Sequence, residues 1–480
     1  MSTLNSFLKN TVVYGLAAVL PKAINVFLVG FHTQNLASTV EFNVNTQFFV
    51  WAAYFNVLLT FGMETTFFKF FNSENNKQKV LSTSFTSVGL VTLFVLTPLF
   101  LLADKIAPLL EFAEVIHFKT LVGILAFDTL VVIPFAYLRV NNKAFSYAGF
   151  RIFNISIYAF LNLLFLWYLP KHNQLNVLSW YPTHSNVGYI FLATLLASSL
   201  TFLMVLPSFL KFKISLDFKL LKKMLSYGWP ILIAGLAYVT NENLDKLILP
   251  QFLNESIAGA YAGTYKLGVF MALFITAFKL GAEPFFFNIS KNKNAKNTYA
   301  IILEWFTILG ALIVLVIVAY IDFFASLLLK KPEYHETLAI VPVILLANLL
   351  LGIYNNLSVW YKNTGQTKFA MYFSILGAVF TIVGLLVFVP IFGYIGAAWI
   401  TFFVYFLMMM VSYLYGQKYY KTPYNVKKIG ALFLWIMTLC FVSFYIFRNN
   451  FWVNTSLLLA TLCLITFSER KFITQRFLKR

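Results

Sequence analysis

Apolar segments long enough to cross a membrane follow one another along almost the whole of this chain, about fourteen of them between Asn10 and Ser468. A helix needs about 20 apolar residues to span a hydrocarbon core of about 30 Å, and 60% apolar composition leaves little chain for anything soluble. Within hydrocarbon every backbone amide must be bonded internally, so only helices and closed barrels cross it. Runs this long and continuous are not the alternating strands of about 10 residues that build a barrel. The expected fold is an all-α polytopic bundle of about fourteen transmembrane helices.

A net charge of +19 suggests nucleic acid in a soluble protein, but here the basic residues are sorted by side. With the N-terminus taken as cytoplasmic, 26 of the 36 Lys and Arg fall in inner segments and only seven in outer ones. That bias sets orientation. It predicts that both termini are cytoplasmic and that the number of spans is even. The excess therefore reads as topology and contact with anionic membrane lipids, with no nucleic-acid partner. Cys440 and Cys463 both fall in predicted spans, where a thiol serves as a small apolar packing group. No signal-peptide cleavage pattern precedes the first span, so that span is expected to be retained. The longest outer loop, Pro170 to Asn186, is too short for an enzyme domain. The sequence shows no phosphate loop, no metal-ligand motif and no nucleophile with a partner His; the five histidines scatter through outer segments. Neither enzyme activity nor a cofactor or metal is expected.

The two halves repeat one another. KNTVVYG (Lys9 to Gly15) corresponds to KKMLSYG (Lys222 to Gly228), and each opens a helix carrying an internal proline, Pro21 or Pro230, where a kink is expected. Leu36 then corresponds to Leu253, and FGMETTFFKF (Phe61 to Phe70) to LGAEPFFFNI (Leu280 to Ile289), which aligns Glu64 with Glu283. Same-order repeats imply two six-helix lobes about an axis along the membrane normal. The organisation predicted is an N-terminal lobe over 1–210, a cytoplasmic amphipathic linker over 211–225, a C-terminal lobe over 226–416, and two extra helices with a basic tail over 417–480.

KNTVVYG, GMETTFFKF, the stretch LDKLILPQFLNESIAGAYAGTYKLG (Leu244 to Gly268) and WYKNTGQTK (Trp360 to Lys368) together resemble the polysaccharide-repeat-unit flippases of the MOP superfamily, the Wzx-type O-antigen and capsule transporters. The resemblance implies alternating access between two lobes, a lipid-linked oligosaccharide as cargo, polysaccharide polymerase machinery as a partner, and the bacterial inner membrane as location. Two departures stand out. Lys246 occupies a position where Arg is common, and Glu41-Phe42-Asn43 replaces a Gly-x-Tyr turn. Neither is expected to touch the cavity.

Six ionisable residues fall well inside spans: Lys22, Glu64, Asp128, Lys266, Lys279 and Glu283. At about 2.5 to 3.5 kcal/mol each on insertion scales, they must pair or face water. Lys22 lies near the midplane beside Pro21, and two readings stay open for it: an ion pair with Asp128, or a cation facing a central aqueous cavity. The resemblance favours the second, with Lys22 on the diphosphate of the cargo and Lys266 or Lys279 assisting. Lys279 and Glu283 are one turn apart and can pair along one helix face. Lys266 and Lys279 can line one cavity only if their helix bends, as Gly268 and Gly281 allow. Arg139 and Arg151 bracket an inner turn and are explained by topology. The polar run Thr240, Asn241, Glu242, Asn243 and Asp245 is expected to line a wet pathway, with Asn241 and Glu242 suited to sugar hydroxyls or simply to a polar vestibule. Glu64, Asp128 and Glu283 are candidates for ion coupling. Three rival functions remain: a MATE-like exporter of small cations, which the basic residue Lys22 disfavours, a peptidoglycan-precursor flippase, and a membrane polymerase or ligase.

Overall fold

The computed structural model describes residues 2–209, 212–290, 292 and 294–470, with the backbone alone at 2–14, 16–18, 208, 209, 283, 284, 287 and 288. The regular structure among these residues is all helical, without a strand. The helical stretches are α1 (Ser2–Asn35), α2 (Thr39–Ser73), α3 (Lys77–Leu101), α4 (Val115–Val140), α5 (Ala144–Lys171), α6 (Asn186–Pro207), α7 (Phe218–Phe252), α8 (Glu255–Ala282), α9 (Ala295–Ala319), α10 (Pro332–Asn363), α11 (Lys368–Tyr419), α12 (Val426–Ile446) and α13 (Phe451–Ser468). Eleven of them are apolar and long enough to cross a membrane, by length and composition. The two others, α1 and α7, run 34 and 35 residues, about 50 Å at 1.5 Å per residue.

At 52 residues, α11 is too long for one crossing. It reverses at Gly393, where φ is 59° and ψ −144°, a conformation open almost only to glycine. Beyond the turn the two arms pack against each other: the rings of Phe369 and Tyr415 lie 5.5 Å apart, and a Cβ on Gly384 would meet Ile400 at 2.8 Å. The chain thus makes two passes within α11. Fourteen crossings require these two passes, and α1 and α7 as well.

The largest buried cluster runs through both halves, from Phe48, Phe118 and Phe191 in the first to Phe306, Leu345, Trp360 and Tyr405 in the second. The two last helices seat on α9: Lys428 of α12 pairs with both Glu304 and Glu469, and Asn454 of α13 donates to the Ala319 carbonyl at 3.2 Å. Residues 212–217, in the expected linker, are irregular, and the helix begins at Phe218 behind an Asp217 cap. Lys219, Lys222 and Lys223 therefore ride on the first turns of α7.

The halves meet along α2 and α7. The α2 chain breaks at Phe61 and Gly62, both at positive φ, and the Gly62 turn brings the chain so near the Gly228 carbonyl that a Cβ would lie 2.8 Å from it. Nearby, the Lys69 ammonium sits 3.6 Å from the Tyr227 ring centroid. At the opposite ends of the helices, termed outer under the orientation that the lysines imply, the contact is polar. Thr33 donates to the Leu328 carbonyl at 2.7 Å, Thr39 bonds Ser256 at 2.8 Å, and Lys331 donates to the Leu36 and Ala37 carbonyls.

Candidate functional site

Between the halves, toward the outer side, lies a cavity of about 420 Å3. Helices α1, α2, α5 and α6 supply one wall, with Asn25, His32, Asn45, Thr46, Asn154, Tyr158 and Thr194; α7 and α8 supply the other, with Asn243, Lys246 and Lys266. Asn25, Val29 and His32 fall on one face of α1 because three and four residues make about one turn. His32 is buried and its Nε2 bonds the Asn162 side-chain oxygen at 2.8 Å, which fixes the ring in the wall. Asn45 is buried, and its side-chain oxygen has no hydrogen-bond partner.

Lys266 lies where α8 tightens into a 3-10 turn over Lys266–Gly268. Among the described residues no carboxylate pairs with its ammonium and no hydrogen bond engages it; its electrostatic neighbours are Lys246 and His32. Lys246 is 5% exposed, pairs with Asp245 at 2.9 Å, donates to the Glu242 carbonyl and lies 3.7 Å from the Tyr265 ring centroid. A lysine pressed on an aromatic face in low dielectric gains from the ring quadrupole, so Lys246 is held rather than loose. Asp245 in turn accepts from the Tyr261 hydroxyl at 2.6 Å, and Glu242 from the Tyr405 hydroxyl at 2.7 Å.

Lys22 is one turn inward of Asn25 on α1 and donates to the Thr276 hydroxyl of α8 at 2.7 Å. Among the described residues it has no ion pair, although Lys279 and Glu242 lie within electrostatic range. The structure does not bring Lys22 to Asp128. Asp128 belongs to a second cavity of about 290 Å3 inside the first half, together with Arg151, Ser198 and Thr201. Glu64, at the same cavity, is paired to Arg139 at 2.9 Å. Thus Arg139 and Arg151, read in the sequence as topology, also contact the acids named for coupling or lie beside them. Lys279 lines a small hollow of about 20 Å3 with Asn355, Asn356 and Lys362, apart from Lys266. The Glu283 side chain lies outside the described residues.

The polar run on α7 does not share a face. Successive helical residues turn by about 100°, and the side chains go to different partners. Asn241 is buried, donating to the Ser374 carbonyl and accepting from Thr381, both on α11. Glu242 turns to Tyr405, Thr240 to Tyr54 of α2, and Asn243 to the cavity. Two expectations need correction. Lys246, one of the seven lysines and arginines counted on the outer side, is buried, and both Lys246 and Phe42, from the two departures thought to lie clear of the cavity, line it. His32, one of the scattered histidines, does so too. The signal that could have found Lys246 is its place directly after the polar run, where a topological tally absorbed it.

A family model described as "Polysaccharide biosynthesis protein" matches residues 185–307, which carry α6, α7, α8, the first half of α9 and both cavity lysines, Lys246 and Lys266. No curated protein matches the chain. Among solved structures, the lipid II flippase MurJ in an inward-closed conformation superposes with a TM-score of 0.74 at 16% identity, covering 96% of this chain and 100% of that one. An inward-facing multidrug resistance MATE family transporter of the MOP superfamily gives 0.61 at 13% identity, covering 88% and 95%. The bent form of the Vibrio cholerae MATE transporter VcmN gives 0.54 at 13% identity, covering 90% and 99%. At these identities the likeness establishes the fold: the chain is a multi-pass membrane protein with the fold of MOP-superfamily transporters, as the sequence resemblance led one to expect.

Proposed function

We propose that the chain flips a polyprenyl-diphosphate-linked oligosaccharide, a repeat unit for O-antigen or capsule synthesis, from the cytoplasmic to the outer leaflet of the bacterial inner membrane. The observation that carries this reading is Lys266, a cation within the span region that faces a cavity between the halves and has no counter-charge among the described residues. An uncompensated charge in low dielectric is costly, and a diphosphate would supply the missing anion. Lys22 stands one turn inward on the opposite wall, so the diphosphate passes between two cations as the cavity opens first inward and then outward. Lys246 supports the site from its aromatic seat. A small cationic cargo would instead meet like charge at Lys266, which disfavours the drug-exporter reading. The match to polysaccharide biosynthesis proteins over 185–307 supports the glycan, and the polyprenyl tail stays in lipid.

The test is native mass spectrometry of the parent and of Lys266→Ala and Lys22→Ala, purified from a glycan-producing host, with polymer export measured in parallel. Bound polyprenyl-diphosphate glycan in the parent, lost in both variants along with export, is the expected result. Normal export by both inserted variants overturns the assignment.

A further inference from the structure

Asn154 and Thr194 belong to the walls of both cavities, so the hollow inside the first half continues the space between the halves. Its chemistry differs from that of the outer cavity. Asn56 and Thr60 of α2, Asp128 of α4, Tyr147, Arg151 and Asn154 of α5, and Ser198 and Thr201 of α6 line it. The scaffold is fixed by its own bonds: Asn154 donates to the Thr201 hydroxyl at 3.0 Å, while Thr201 donates to the Ala197 carbonyl. Arg151 lies 5.1 Å from the Phe135 ring centroid and 5.7 Å from that of Tyr147, which holds its guanidinium against the wall. Glu64, paired with the half-exposed Arg139, also stands in its wall.

The repeat predicts a matching hollow in the second half, and the structure differs there. The hollow at Lys279, Asn355 and Asn356 holds about 20 Å3, with Phe306 and Phe286 in its wall. The Phe306 ring stacks on Phe274 at 5.0 Å. The hollow at Lys279 is therefore nearly filled by aromatic rings, whereas the one at Asp128 is open and polar.

We infer that the hollow in the first half is a bay for the distal sugars of the cargo, and that Asp128, Arg151 and Asn154 set which repeat unit is accepted. This inference rests on the proposed flippase reading. A carboxylate accepts from vicinal sugar hydroxyls, a guanidinium and an amide donate to hydroxyl and carboxylate oxygens, and the Tyr147 ring offers an apolar face. About 290 Å3 holds one to two sugar rings beyond the diphosphate-linked one. A site that hydrogen-bonds its ligand rejects the analogue lacking those groups, because its own buried polar atoms are then left unpaired.

The experiment compares binding of a polyprenyl-diphosphate monosaccharide and the corresponding trisaccharide by native mass spectrometry, on the parent, Asp128→Asn and Arg151→Gln, whose side chains line the hollow in the first half and not the outer cavity. The parent should prefer the trisaccharide by about tenfold, the size expected of one hydrogen bond to a charged group. Both variants should lose that preference while holding the monosaccharide as the parent does. A parent that binds the two equally overturns the bay and leaves the flippase reading standing. A parent that binds neither overturns the flippase reading and the bay with it. Variants that keep the parent's preference overturn the assignment of these residues. The parent comparison is informative even where a variant does not fold.

Discussion

Gly259 of α8 lies so close to Thr39 of α2 that a Cβ at position 259 would sit 1.8 Å from the Thr39 carbonyl oxygen. No rotamer relieves such a contact, since the obstacle is backbone, so the outer seal between the halves exists only with glycine there.

Gly259→Val should therefore hold the outer side open. With both native cysteines replaced and Asn25→Cys introduced into the cavity wall, labelling from outside by a membrane-impermeant thiol reagent should run several-fold faster in the Gly259→Val background. Equal rates would show that the halves close elsewhere.

The α11 reversal makes a separate demand. Gly393→Ala places a side chain at φ 59°, ψ −144° and should cost about 1 to 3 kcal/mol, visible as a drop of a few degrees in the thermal unfolding midpoint in detergent. The neighbouring Phe392→Ala, on an exposed ring, should cost less. Equal midpoints for the parent and Gly393→Ala would place the turn elsewhere.

The last two helices are held by an ion pair and by an amide, and magnitude decides between them. Arg448 donates twice to Asp322 within 3.2 Å, but both side chains are partly exposed, a setting worth about 0.2 to 1 kcal/mol. Asn454 is 1% exposed, accepts from Ser443 and donates to the Ala319 and Phe447 carbonyls. Removing it orphans buried groups at about 1 to 3 kcal/mol. Asn454→Ala should lower the unfolding midpoint more than Arg448→Ala; the reverse order would mean that the pair is screened less than its exposure indicates.

At the start of α7, the Lys79 ammonium and the Leu220 amide hold the Asp217 carboxyl below the usual carboxylate range. A lowered folded-state value means that the stabilisation is complete above the unfolded value and is lost only as pH falls through the lowered one. Hydrogen-exchange protection of the first turn of α7, corrected for intrinsic rate, should be flat from about pH 8 to about pH 5 and fall below about pH 4. Asp217→Asn should reduce it above about pH 5 and leave it unchanged below about pH 4, where the parent has lost the same contribution. Loss beginning near neutrality would point to another group.

Helix existence and the cations within the spans were legible in the sequence, because each is a local quantity. A run of about 20 apolar residues is a crossing whatever its neighbours, and a lysine 12 residues into such a run is deep in the membrane wherever the helix packs. Partners were not legible. Lys22 lies by Thr276 and not by Asp128, the neighbours Asn241 and Glu242 meet different residues of α11, and Lys246 packs on the Tyr265 ring. Periodicity gives the angle of a side chain about its own axis, whereas its partner depends on which other helix stands at that angle. Only the packing of α1, α2, α5 and α6 against α7 and α8 decided that Lys266 faces open space, and only the packing of α2, α4, α5 and α6 gathered Asp128, Arg151 and Asn154 around one hollow.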